Sequence, residues 1–211
     1  MKDYLFALRT TAWRTAGARY NAARRLKRRE IFSVVSLALF SALSVAIAFL
    51  QRVYSPHGGT PLDNYLSALA ACLGVFLLAV SLIEYGARHG AKADLLHRNA
   101  EDLTAFQQKA AQQIAQLDSG VALKWDEVNA LREEGDAVKA RCTENHAPID
   151  DRLFIAQHRL ADEFKDPSGR PRFGRAFAVS AWLSWSLASV WYFFVLWLVT
   201  IVATAYTYCF I

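Results

Sequence analysis

Charge is missing from three long stretches of this 211-residue chain: Ile31 to Leu50, Tyr65 to Ile83 and Ala176 to Ile211, of 20, 19 and 36 residues. Charged residues make up 20% of the sequence and are crowded into what remains, which excludes a soluble core with an evenly mixed surface. At about 1.5 Å of rise per residue, roughly 20 residues cross the ~30 Å hydrocarbon core, so each stretch is long enough to span a bilayer. A segment that crosses alone must satisfy its backbone internally, so the spans are predicted α-helical and an outer-membrane barrel is excluded. Ile31 to Val45 followed by Ala46-Ile47-Ala48 has the form of a secretory signal, but a 30-residue basic lead and a run long enough to span favour an uncleaved anchor.

Cysteine is equally scarce. Cys72 and Cys209 lie within apolar stretches and Cys142 outside them, which excludes a disulfide framework. The chain has no nucleotide-binding glycine loop, no nucleophile elbow and no HExxH, and Gly58-Gly59 sits in a turn between spans. The expectation is therefore no enzyme and no cofactor. Cys142, Glu144 and His146, with His158 further on, have a spacing that one helix face can use for a metal. The plainer reading, a helix end carrying a stray thiol, is preferred, so no metal site is predicted.

The charges present orient the chain. Residues 1–30 carry nine Lys/Arg against two acids, and residues 84–175 carry 14 against 16. By the positive-inside rule the basic N-terminal segment (1–30) is cytoplasmic, with Arg19, Arg24, Arg25, Lys27, Arg28 and Arg29 close to the membrane. The loop from Gln51 to Asn64, with Ser55-Pro56-His57-Gly58-Gly59-Thr60-Pro61, is short and rich in turn formers, so spans 31–50 and 65–83 form a hairpin over 31–83. Residues 84–175 are then cytoplasmic, and 176–211, without Gly, Pro or charge, reads as one tilted third span, with Trp182, Trp185, Tyr206 and Tyr208 either at the two interfaces or facing lipid and neighbouring helices. The fold class predicted is an all-α membrane protein: a transmembrane hairpin, a coiled-coil-like cytoplasmic helical domain, and a C-terminal transmembrane helix.

Within 84–175, apolar positions Leu96, Leu103, Phe106, Ala110, Ile114 and Leu117, continuing to Val121, Trp125 and Val128, recur at the helical period. A partner helix is the economical cover for such a stripe, which points to a homo-oligomer. Asp118-Ser119-Gly120 breaks the propensity without breaking the stripe; either the helix runs through or Gly120 is a hinge. Glu144-Asn145-His146-Ala147-Pro148-Ile149-Asp150 stops a helix, and Asp150 or Asp151 can cap the next.

Four serines, Ser33, Ser36, Ser41 and Ser44, add polarity to the first span and are the candidate pore lining, though their positions drift around the helix. Ala38, Ala42 and Ala46, and in the second span Ser67, Ala71, Ala70 and Gly74, have the spacing that lets helix backbones approach closely. Glu30 and Glu84 place acids at the inner mouth. Pairing within the Arg-rich collar, for example Glu84 with Arg88 at i,i+4, is favoured over a cation-selecting ring. Leu5, Leu8, Ala12 and Ala16 between basic residues suit a helix lying on anionic lipid, which is preferred to nucleic acid as the partner of these charges.

The lead Arg19-Tyr20-Asn21-Ala22-Ala23-Arg24-Arg25-Leu26, the tight hairpin, and the run from Lys92 to Leu103 resemble the SLATT family, the SMODS- and SLOG-associating two-transmembrane effectors; Glu144 to Asp150 is similar to that family's closing segment. The resemblance covers about residues 4–160, and the third hydrophobic stretch departs from the two-span pattern. It implies a bacterial inner-membrane effector of anti-phage systems that oligomerises and perforates or depolarises the membrane. The trigger it implies is a nucleotide second messenger or a partner sensor protein, such as one linked to a reverse transcriptase. The competing reading is a non-conducting scaffold that recruits a cytosolic partner.

Overall fold

The computed structural model describes residues 1–54 and 59–206. Among them there is no strand, and seven α-helices account for the fold: α1 (Lys2–Tyr54), α2 (Pro61–Ala87), α3 (His89–Asp118), α4 (Trp125–Ala140), α5 (Pro148–Gln157), α6 (Arg175–Ala188) and α7 (Trp191–Tyr206). The turn residues Ser55, Pro56, His57 and Gly58 and the belt residue Tyr208 lie outside the described residues. Two helices are long and apolar enough to cross a membrane, with a third crossing if α6 and α7 together count as one span. The chain is an all-α membrane protein.

The chain divides into two compact units, residues 1–27 with 90–188 and residues 28–89 with 189–211. The basic lead is therefore not an element of its own: it is the first half of α1 and belongs to the same unit as α3 to α6.

In this helical unit the first half of α1 carries Ala12, Ala16, Ala22 and Ala23 on one face, small enough for α3 to come close. Leu5 and Ala12 pack with Phe106, Ala110, Val128 and Leu131; Ala16 packs with Leu103 and Val138; Ala22 and Ala23 pack with Leu96. Ile114 and Leu117 are partly buried at the end of the same core. The stripe expected to join subunits is thus covered within the chain by α1 and α4. The N-terminal apolar face expected on lipid is likewise used up inside, because both faces are buried by one another at no cost in subunit entropy.

Asp118-Ser119-Gly120 ends α3. Gly120 takes φ +87°, and the Val121 N–H returns to the Gln116 carbonyl at 3.0 Å, closing the helix with a left-handed residue that glycine adopts without strain. The helix does not run through, and α4 folds back so that Val128 and Leu131 rejoin the core while Val121 and Trp125 stay exposed. Gly17 marks where α1 meets α5: a Cβ there would lie 2.1 Å from the Phe154 ring, so no larger residue fits. Trp13 packs edge-on to that ring at 4.9 Å between centroids.

The third apolar stretch is not one helix. Ser189 and Val190 separate α6 from α7 without glycine or proline, because the α6 residues are held by contacts in the helical unit. Arg152 lies over the Phe177 ring at 5.6 Å, and Phe173 and Phe177 pack on the Phe154–Ile155–Phe164 cluster. Ala181 is fully buried, while Val179, Trp182, Leu183 and Leu187 remain exposed on the opposite side of α6.

In the membrane unit, Thr60 caps α2 by accepting the Asp63 N–H at 3.1 Å, with Pro61 in the first turn. Ile47 packs with Leu66 and Leu73, and Tyr65 donates its hydroxyl to the Ala203 carbonyl at 2.7 Å, joining α2 to α7. Outward positions of all three helices are apolar and exposed, among them Val35, Leu39, Val45, Val75, Leu78, Leu82, Leu198 and Val202, as a lipid-facing surface requires.

Candidate functional site

The end of the membrane unit where α1 enters it is tied by one carboxylate. Arg29 Nη2 donates to Glu84 Oε1 at 2.9 Å, Tyr192 donates its hydroxyl to the same oxygen, and His89 Nε2 stands 3.7 Å from Oε2. The Arg29 guanidinium also lies over the Tyr192 ring at 5.1 Å, and Arg28 donates to Ser189 Oγ at 3.2 Å. With the Glu84 side chain only 9% exposed, loss of either strong partner would leave a desolvated charge. The expected collar pair exists, but its cation is Arg29. Helix α2 stops at Ala87 and Arg88 turns to φ +50°, out of i,i+4 reach of Glu84. Glu30, the other acid expected at this mouth, is half-buried at the next position of α1.

Above this knot the four serines separate. Ser33 and Ser36 are buried, at 4% and 3% exposure, Ser44 is half-buried, and Ser41 faces outward with its hydroxyl on the Leu37 carbonyl at 2.8 Å. Trp197 of α7 donates its indole N–H to Ser36 Oγ at 3.2 Å and stacks on Phe40 at 4.4 Å between centroids. Phe193 and Thr200 complete the buried face of α7. Of the four serines only Ser33 and Ser36 are buried, Ser36 against Trp197 of the aromatic helix, while Ala38, Ala42 and Ala46 of α1 and Ser67, Ala71 and Gly74 of α2 are exposed.

The helical unit has its own buried carboxylate. Asp150, fully buried, accepts Arg25 Nε and Nη2 at 2.8 and 2.9 Å, the Trp185 indole at 3.0 Å and the Ala147 N–H at 2.9 Å. One residue therefore caps α5 and pins α1 and α6 to it. Asn21, also fully buried, donates to the Asp150 carbonyl at 3.1 Å. Beside it Arg14 pairs in a fork with Asp151 at 2.6 Å, which raises the guanidinium above its ordinary pKa.

Among the described residues no group of three His, Cys, Asp or Glu side chains could hold a metal ion, and Cys142 instead points its thiol at the Glu144 carbonyl at 3.4 Å. Gly120 sits at a hydrogen-bonded turn of the helical unit. Of the residues that build the two knots, Arg25, Arg29 and Glu84 stood out in the sequence as collar charges. Trp185 stood out only as an interface ring, whereas it bonds Asp150 in the helical unit; Tyr192 and Trp197 did not, being submerged in an apolar run, and the one signal was that each carries a polar tip, which must find a partner when buried.

The family model for the SMODS and SLOG-associating 2TM effector domain, family 5, matches residues 1–206, and the chain belongs to that family. No curated protein and no solved structure matches it.

Proposed function

We propose that the chain is a pore-forming or depolarising effector of the bacterial inner membrane, drawn here in a closed state. The observation that carries this reading is the burial of the polar face of the first span. Ser33 and Ser36 are buried, Trp197 of α7 donates to Ser36, and the knot of Arg29, Glu84 and Tyr192 ties the other end of α7. Withdrawal of α7 would bare a serine-bearing face to a lumen, while the small-residue faces of α1 and α2 left exposed in one chain suit packing against further copies. Gating by the segment from 84 to 175 follows from chain continuity, since α3 and the first half of α1 lead directly into the spans. The trigger is a nucleotide messenger or a sensor protein acting on that segment.

In this topology the N-terminus is cytoplasmic. Residues 191–211 are 21 uncharged positions, a stretch whose length in sequence matches a third crossing.

Purified protein in liposomes loaded with a potassium-sensitive dye tests the reading. Wild type is expected to leak slowly and Trp197→Ala with Tyr192→Phe to leak several-fold faster. Equal impermeability of both, at equal insertion, would favour the scaffold reading.

A further inference from the structure

Arg19 of the helical unit is 6% exposed, which makes it a buried cation, yet its hydrogen-bond partner is the neutral amide of Asn99, and Asn99 is held in turn by donating to the Val138 carbonyl at 2.7 Å. Its Nε has no hydrogen-bond partner, and among the described residues it forms no ion pair. Asp150 is paired with Arg25 and Asp151 with Arg14, and the two cleft acids, Asp136 and Glu144 (4.0 Å from Lys92), form no ion pair with Arg19 among the described residues. Burial without a counter-charge is unfavourable enough to pull this guanidinium below its ordinary pKa.

Arg19 lines a cleft of about 560 Å³, within the size range of small-molecule sites. Its walls bring Thr15 from α1 and Thr143 and Asn145 from the segment after α4, all short hydroxyl or amide groups, together with the imidazole of His146, whose Nδ1 is also buried without a partner. Lys139, which is exposed, and the carboxylates of Asp136 and Glu144, exposed and half-buried, also line it, toward solvent.

We propose that this cleft binds a small phosphate ester of a sugar, its phosphate on Arg19 and its hydroxyls on Asp136 and Glu144. A phosphate has enough acceptor oxygens to use the guanidinium fork, the threonine hydroxyls and Lys139 at once, and it supplies the charge that Arg19 lacks. The two mouth carboxylates repel a polyanion such as a nucleic acid strand but accept hydrogen bonds from sugar hydroxyls. The cleft joins α1 to the end of α4, so an occupant would stiffen the helical unit. Its use as the trigger site rests on the pore reading; its occupancy does not.

The test is thermal unfolding of the full chain in detergent at constant ionic strength, with inorganic phosphate and ribose 5-phosphate as probes against chloride. The midpoint is expected to rise saturably with both, with ribose 5-phosphate half-saturating at about tenfold lower concentration. Arg19→Met should abolish both responses while the chain stays folded, since an unbranched apolar side chain that follows the arginine stem replaces an unpaired buried charge. Asp136→Asn with Glu144→Gln should remove the advantage of the sugar and leave the phosphate response. Should Arg19→Met fail to fold, Lys139→Ala with Thr143→Val decides, with an expected weakening of several-fold. No response of wild type to either probe, or unchanged responses in Arg19→Met or in the second double variant, would overturn the site. Liposome leakage is not read here, so failure of the site and failure of the pore reading are separate outcomes.

Discussion

Trp197 donates its indole N–H to Ser36 Oγ across 3.2 Å, setting the third apolar helix on the most polar face of the first. Stacking on Phe40 reinforces the hydrogen bond, and Tyr192 on Glu84 holds the other end of α7. A helix bound at two points by polar tips has one register, whereas a helix packed only by aliphatic side chains in lipid has little to choose between registers.

Glu84→Gln keeps the shape of the side chain and removes its charge. Arg29 is then left without its carboxylate, and the expected result is a membrane unit destabilised by about 3 kcal/mol. Leakage from liposomes should rise several-fold, and Arg88→Gln, which touches neither Glu84 nor α7, should leak like wild type. Equal leakage of the two variants would show that Glu84 does not hold the closed arrangement.

Phe106→Glu buries a carboxylate in the core of the helical unit, where Phe106 is 4% exposed against Leu5, Val128 and Leu131. The expected outcome is loss of the helical unit, seen as early protease cleavage between residues 90 and 175. A clean change of particle mass with the unit intact is not expected. By contrast Ala42→Leu, on the exposed small-residue face of α1, should lower the mass of the detergent-extracted particle and leave protease resistance unchanged.

Asp150→Asn should cost the helical unit about 3 to 5 kcal/mol, because Arg25 keeps its burial and loses its fork while Trp185 and the Ala147 N–H share a weaker acceptor. Denaturant titration followed by Trp fluorescence would register it. Trp185→Phe removes only one of these hydrogen bonds and should cost about 1 kcal/mol.

His146 is held below its ordinary pKa of 6.5, chiefly by burial. The unfolded chain therefore takes up a proton at this position before the folded one does. The stability this residue allows is complete above pH 6.5 and falls as the pH drops beneath it, by up to about 1.4 kcal/mol per pH unit until the folded group protonates too. Denaturation at about pH 7.5 and 5.5 in phosphate-free buffer should show the loss, and His146→Gln should reduce it.

Much of the fold was legible along the chain. Uncharged runs of spanning length and the turn formers between the first two runs determine a helical membrane protein with a helical segment outside the spans, because desolvating a charge or an unpaired backbone group in lipid costs more than any local preference can offset. The periodic stripe from Leu96 to Leu117 equally determined that α3 buries one face. Its cover was a different matter: a stripe specifies a face, and an alanine-lined α1 of the same chain meets it as well as a second subunit would. Only the tertiary structure decided that, along with the break at Ser189 and Val190, the Arg29 partner of Glu84, the burial of Ser33 and Ser36, and the uncompensated charge of Arg19. Each of these depends on which residues far apart in sequence meet, and hydropathy and helical period carry no record of that.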